Sequence, residues 1–174
     1  MAILIEALTK NDWEVARSIY VEGIATGDAT LETDPPSFEE WDSSHLPGCR
    51  FIARRGDQGV GWAALSPVSN RRVYKGVAEV SIYITASCRG EGIGKALLNA
   101  LIEASEGAGI WTLESTMFPE NAASIRLHKT CGFREVGFRE RIGELDGKWR
   151  NTILMERRSL LIKGGAQDSG GADR

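Results

Sequence analysis

A single α/β domain built around one mixed sheet is what this sequence predicts. Three observations lead there. Apolar periodicity and turn residues divide the chain into the order β-α-α-β-β-β-α-β-α-β-β, which mixes hairpins with helical crossovers. A length of 174 residues suits one well-packed core and is short for two. The composition, 42% hydrophobic and 26% charged, is that of a folded chain, and no repeat or second domain interrupts it.

Residues 3 to 8 form a short apolar run suited to a first strand, and Thr9-Lys10-Asn11-Asp12 reads as a helix-opening capping box. Trp13, Ala16, Tyr20 and Ile24 then share one helical face, which marks core packing, while Gly23 to Gly27 weaken the helix toward its end. Pro35 and Pro36 break regular structure, and Ser37-Phe38-Glu39-Glu40 opens a short second helix with another capping box. The loop between these helices can wall a substrate site. His45, ahead of Pro47 and Gly48 and without a ligand-like neighbour, reads as a surface or capping histidine. Residues 50 to 55 and 59 to 66 form two strands joined through Gly56-Asp57-Gln58. The polar loop from Ser66 to Lys75 carries Arg71, Arg72 and Tyr74 and reads equally as solvated or functional.

A central strand follows, Glu79-Val80-Ser81-Ile82-Tyr83-Ile84, and then a helix beginning at Ile93. Ile93, Leu97, Leu101, Ala104 and Ala108 mark its buried face, and Gly107 and Gly109 end it. Ile110 to Met117 is the next strand. Pro119-Glu120-Asn121 opens another helix with Asn121 as N-cap, which places Asn121, Ser124 and His128 on one face before the helix stops at Gly132. Phe133 to Ile142 and Trp149 to Glu156 pair around Asp146-Gly147, a strong hairpin signal. The domain is expected over residues 1–161. Residues 162–174, rich in Gly, Ser, Asp and Ala without apolar periodicity, are expected to form a disordered tail.

The net charge of −3 and pI near 5.5 exclude a general nucleic-acid or anionic-membrane binder and favour small-molecule chemistry. The N-terminus lacks a basic stretch followed by a long apolar one, and no segment approaches the length of a membrane span, so a cytoplasmic protein is expected. Cys49, Cys88 and Cys131 fit neither a disulfide framework nor a zinc site, so reduced thiols and no metal are expected. Cys88 lies in the loop after the central strand, where a chemically accessible thiol is expected.

That loop, Arg89-Gly90-Glu91-Gly92-Ile93-Gly94-Lys95, joins an apolar strand to an Ala/Leu-rich helix. Its glycines allow close backbone approach, and the helix start adds unpaired N–H donors and a positive dipole end, so a diphosphate is the natural guest. The Walker A pattern fails because Arg89 stands where the first Gly belongs and Ala96 lacks the hydroxyl. The Rossmann pattern fails because its third Gly falls on Lys95.

Arg-x-x-Gly-x-Gly between strand and helix resembles the coenzyme A pyrophosphate loop of the GNAT superfamily of acetyl-CoA-dependent N-acetyltransferases. The resemblance implies their single-domain fold, a mixed, mostly antiparallel sheet flanked by helices, with a splayed strand pair for acetyl-CoA. Within that superfamily the chain is most similar to the group acting on phosphinothricin, methionine sulfoximine and arsinothricin. Thr33-Asp34-Pro35, Gly61-Trp62-Ala63-Ala64, Tyr74, Glu79 to Ile84, Arg89 to Gly94, Asn121 to His128 and Gly132-Phe133 carry the likeness in order.

Acetyl transfer from a thioester needs a deprotonated amine, a polarised carbonyl and a proton for the thiolate. By resemblance, Glu79 is the general base, and His128 stands where many of these enzymes carry a tyrosine acid; it either protonates the thiolate or positions the acyl group. The resemblance places the cofactor against the backbone of Ile82, Tyr83 and Ile84, the loop Arg89, Gly90, Glu91, Gly92, Ile93, Gly94 and Lys95, and Asn121 and Ser124. Asn121 also reads simply as the N-cap. Substrate contacts implied are Arg71 and Tyr74, with Arg72 as the alternative, plus wall positions Leu31, Glu32, Phe118 and Thr152. Glu32 falls where the phosphinothricin enzyme has arginine, a reversal of charge. The activity so implied is acetylation of the α-amine of a small amino acid analogue by direct transfer in a ternary complex, with acetyl-CoA as donor and a homodimer as the assembly. Acetylation of a protein or peptide N-terminus, or a noncatalytic acyl-CoA-binding module, are the alternatives.

Overall fold

The computed structural model describes residues 2–162. Apart from Ile162, the expected tail lies outside the described residues. The strands are β1 (Ile3–Ala7), β2 (Arg50–Arg55), β3 (Gln58–Pro67), β4 (Val77–Ile84), β5 (Thr112–Met117), β6 (Arg134–Leu145) and β7 (Lys148–Arg158). The α-helices are α1 (Trp13–Ala25), α2 (Phe38–Ser44), α3 (Ile93–Gly107) and α4 (Ala122–Thr130). Their order is the one expected.

One seven-stranded sheet runs β1-β2-β3-β4-β5-β7-β6. Every neighbouring pair is antiparallel except β4 and β5, the two strands that α3 connects. Residues 59–65 of β3 are buried without a break, as a strand covered on both faces must be. Trp62 and Ala64 pack toward α1 and α2 with Trp13, Tyr20 and Trp41. Val60, Ala63 and Leu65 belong to the other core, with Leu97, Leu98 and Leu101 of α3. Two apolar layers therefore clamp the central strands.

Local signals carry the ends of the elements. Ser37 accepts the Glu40 N–H at 3.2 Å while its own N–H donates to the Glu40 carboxylate at 2.8 Å, the reciprocal cap of α2. The Thr9 N–H and hydroxyl both donate to Asp12 at 2.8 Å. Asp146 and Gly147, at φ 50° and 73°, make the tight turn between β6 and β7.

Two expectations are corrected. Ala108 lies past the end of α3 and is exposed; Leu98 and Ser105 complete the buried face in its place, because the helix closes at Gly107. Cys88 is only 6% exposed and sits in the core under α3, so its thiol is not accessible. The short helical turn Ala86–Cys88 rolls the side chain inward.

Candidate active site

β4 spans eight residues, yet it pairs with β5 only through Val77, Ala78 and Glu79. Beyond Glu79 the two strands part. β5 continues in register with β7, and β4 continues with β3 up to Ile84, so the β5-facing edge of Val80 to Ile84 has no partner strand. A cavity of about 340 Å³ opens there. Its walls include Glu79 to Tyr83 from β4, Ser115 to Met117 from β5, and Asn121, Ser124 and His128 from α4. The expected splay is thus present, with the unpaired edge of Ile82 and Tyr83 along it and Ile84 at its end.

Glu79 is half-buried at the point of divergence, directly opposite Glu114 in the parallel ladder. Burial pushes its carboxyl pKa up, and the Glu114 charge adds to that push; a hydrogen bond from Thr116 and the Arg139 guanidinium oppose both. A carboxylate placed this way holds a proton more tightly than an exposed one and is a better base.

His128 is 1% exposed, edge-on to Phe133, with Nδ1 2.8 Å from the Ser124 carbonyl and 3.4 Å from its hydroxyl. Burial lowers its pKa, so the neutral ring is favoured near pH 7. In that form Nδ1–H donates to the carbonyl, which leaves Nε2 as an acceptor, buried and without a protein partner. Asn121 caps α4 by accepting the Ser124 N–H at 3.1 Å. Its amide also donates to the Asp28 carbonyl at 3.3 Å, which ties α4 to the loop after α1.

At the far end of β4, Glu22 of α1 accepts the Thr85 hydroxyl at 2.8 Å and the Ala86 N–H at 2.9 Å. The anion loop follows. Gly90 and Gly92 take φ of 80° and 85°, a left-handed conformation that side chains resist. Gly92 is the N-cap of α3 and no side chain caps that end, so its first N–H groups face outward. Ile93 turns into the core, Lys95 is exposed, and Arg89 folds back with Nε 3.3 Å from the Ile84 carbonyl. Glu91 pairs with Arg55. At Gly94 a Cβ would stand 3.0 Å from Leu127, so its absence also lets α3 and α4 pack.

The roof of the cavity is the segment after α1. Arg150 of β7 donates to the Gly27 carbonyl at 2.8 Å and to Asp28 at 2.9 Å while stacking 3.9 Å above Phe118. Leu31 fills the space left by the missing side chain of Gly143. Leu31, Glu32, Phe118 and Thr152 all line the cavity, and the Thr152 hydroxyl is buried without a partner. Arg71, Arg72 and Tyr74 do not line it; they lie exposed on a short helical turn, with the Arg71 guanidinium 5.5 Å from the Tyr74 ring centre.

The acetyltransferase (GNAT) family matches residues 12–133, well over half of the chain. The chain belongs to the GNAT acetyltransferase family. Among its GNAT relatives, the phosphinothricin N-acetyltransferase of Alcaligenes faecalis is 30% identical over 165 residues, which cover 90% of this chain and 82% of that one. A crystal structure of a GNAT phosphinothricin acetyltransferase from Sinorhizobium meliloti in complex with acetyl-CoA superposes with a TM-score of 0.82 at 30% identity, covering 91% of this chain and 89% of that one. The ribosomal-protein-alanine N-acetyltransferase of Brucella melitensis gives 0.81 at 28% identity over 90% and 99%.

Sequence reasoning missed Thr116, which lines the cavity of this GNAT chain, and three residues around it: Glu114 and Arg139, whose charges act on Glu79, and Arg150, which holds the roof. Glu114 and Thr116 gain their place only from strand pairing. Arg139 lies opposite Thr152 across a ladder whose register shifts between Arg139 and Gly143, and no turn residue announces that shift. Among the described residues no cluster of three or more His, Cys, Asp or Glu is arranged to hold a metal, and no helix is long and apolar enough to cross a membrane.

Proposed function

We propose that the protein is an acetyl-CoA-dependent N-acetyltransferase acting on the α-amine of a small amino acid analogue, by direct transfer in a ternary complex. Glu79 carries the reading: a half-buried carboxylate at the point where β4 and β5 separate, on the wall of a cavity open between them. Bound acetyl-CoA supplies the thioester whose C–S bond breaks as the amine forms its N–C bond. The residues suited to hold it are the unpaired edge of Val80 to Ile84 and the outward N–H groups at Gly92 to Lys95. Glu79 removes a proton from the incoming ammonium, directly or through water. His128 holds an acceptor at Nε2, so it receives a proton as the amine attacks and can return it to the departing sulfur.

The relatives that act on phosphinothricin support this substrate class. A panel of phosphinothricin, methionine sulfoximine, methionine sulfone and arsinothricin, followed by thiol release, is expected to show turnover; none with any of them rejects the class. Acetylation of a protein N-terminus is the second reading, favoured by the likeness to a ribosomal-protein-alanine enzyme. Activity on alanyl peptides with none on free amino acids selects it.

The reading includes a cytoplasmic location, in keeping with three free buried thiols, Cys49, Cys88 and Cys131. It also includes a homodimer. Val136, Phe138 and Ile142 of β6 and Trp149 of β7 expose apolar surface on one hairpin, a face suited to a second copy. Light scattering is expected to give twice the chain mass; the monomer mass rejects the dimer.

A further inference from the structure

We propose that a second cavity, adjoining the catalytic one, receives a positively charged side chain, so that the amines acetylated are amino acids with a cationic tail. The inference rests on the acetyltransferase reading above and ranks the amines within it by the charge of the tail.

This second cavity measures about 390 Å³ and lies between the segment after α1, helix α2, and strands β3 and β4. Tyr20, Glu32, Ser81 and Tyr83 line both cavities, so the two share a wall. A side chain attached to an amine at Glu79 can pass Glu32 and enter the second space. The volume falls within the range of small-ligand pockets.

The chemistry of the walls is one-sided. The half-buried Tyr83 ring gives the cavity its aromatic surface, a surface that attracts cations, and Tyr20, Trp41 and Trp62 pack behind it almost fully buried. The indole N–H groups of Trp41 and Trp62 are buried and have no protein acceptor. Glu32 stands at the junction with no ion-pair partner among the described residues. Asp34 accepts only the neighbouring Thr33 hydroxyl, at 3.1 Å. Glu40 is already engaged as the cap of α2.

No lysine or arginine lines either cavity. Arg50 stacks 5.2 Å from the Trp41 ring, but it is paired with Asp42 and donates to the Asp42 and His45 carbonyls. His45 closes the far side with Nδ1 2.7 Å from the Trp41 carbonyl and its ring stacked on Trp41. Burial lowers its pKa, so it adds no positive charge near pH 7. A phosphinate or arsinate tail in this space would meet carboxylates and ring faces without a cation to hold it. An ammonium or guanidinium tail meets two carboxylates without an ion-pair partner among the described residues, Glu32 and Asp34, and the edge of the Tyr83 ring.

The test compares substrates matched in length and differing in tail charge: ornithine and lysine as cations, norvaline and methionine sulfone as neutral amines, phosphinothricin as anion. In the parent enzyme, kcat/KM for the cations is expected to exceed that for the neutral amines by at least about tenfold, with phosphinothricin lowest. Glu32→Gln and, separately, Asp34→Asn are each expected to shrink the cation-to-neutral ratio severalfold, mainly through KM. A parent that prefers phosphinothricin, or variants that leave the ratio unchanged, overturns the proposal. Calorimetry with ornithine and with norvaline reads the same preference without turnover. Tighter ornithine binding with no acetyl transfer to any amine rejects the acetyltransferase reading and keeps the cation site; equal binding of the two rejects the cation site.

Discussion

Replacing Glu79 by Gln lowers kcat by about 10²- to 10⁴-fold if this carboxylate is the base, the range that positioned general bases contribute. The substitution keeps the size of the side chain and removes only its charge and basicity. In the parent, rate falls on the acid side as Glu79 takes up a proton. Because burial and then Glu114 push its pKa up, that fall lies above the ordinary carboxylate range. Rate measured against pH checks this; a Gln variant with the parent's rate and profile removes Glu79 from the mechanism.

The same shift has a consequence for stability. A carboxyl whose pKa is raised by folding binds its proton more tightly in the folded state, so stability declines as pH rises from the unfolded pKa through the folded one. Glutamine escapes that decline. Glu79→Gln is therefore expected to melt above the parent at pH 7, and to lose the advantage at about pH 4, where the parent's carboxyl is largely protonated in both states. Melting curves at the two values test it. A variant that loses activity while gaining stability marks a site held for function, which a merely structural glutamate does not do.

Gly92→Val acts at the other end of the same segment. Gly92 has φ 85°, where a β-branched side chain meets the following carbonyl, at a penalty of about 1–2 kcal/mol. The backbone relieves that strain by turning the N–H groups at the start of α3 away from a bound anion. Affinity for acetyl-CoA is expected to fall roughly five- to thirtyfold, the equivalent of that penalty, with KM for the amine nearly unchanged. Gly107→Ala, in open space at the end of α3, is the control and leaves both constants near the parent's. Unchanged acetyl-CoA affinity in Gly92→Val removes the loop from the cofactor site.

Periodicity and caps make much of the fold legible without coordinates. Ile93, Leu97 and Leu101 repeat at the helical interval because one side of α3 faces a sheet, and Ser37 and Glu40 announce α2 because an uncapped helix start leaves N–H groups unpaired. The face shared by Asn121, Ser124 and His128 also follows from spacing along one helix, and all three line the cavity. One misplaced feature has a physical reason. Cys88 looks exposed in a Gly-rich loop, but a single helical turn sends it inward. Arg71 and Tyr74 sit near the central strand in sequence, and the structure places them exposed at a short helical turn outside the cavity lining.

Gly92 is visible as chemistry in the chain itself, since a glycine loop before a helix is a local pattern, while Glu79 and His128 stand out through the resemblance to a family. The opposition of Glu79 to Glu114, the unpartnered Nε2 of His128, and the junction of two cavities at Glu32 are visible in neither way. They arise where strands that are distant in sequence separate after Glu79. Local pattern sets which groups are present; the parting of β4 from β5 sets what surrounds them, and through burial and neighbouring charge it shifts how tightly each holds a proton.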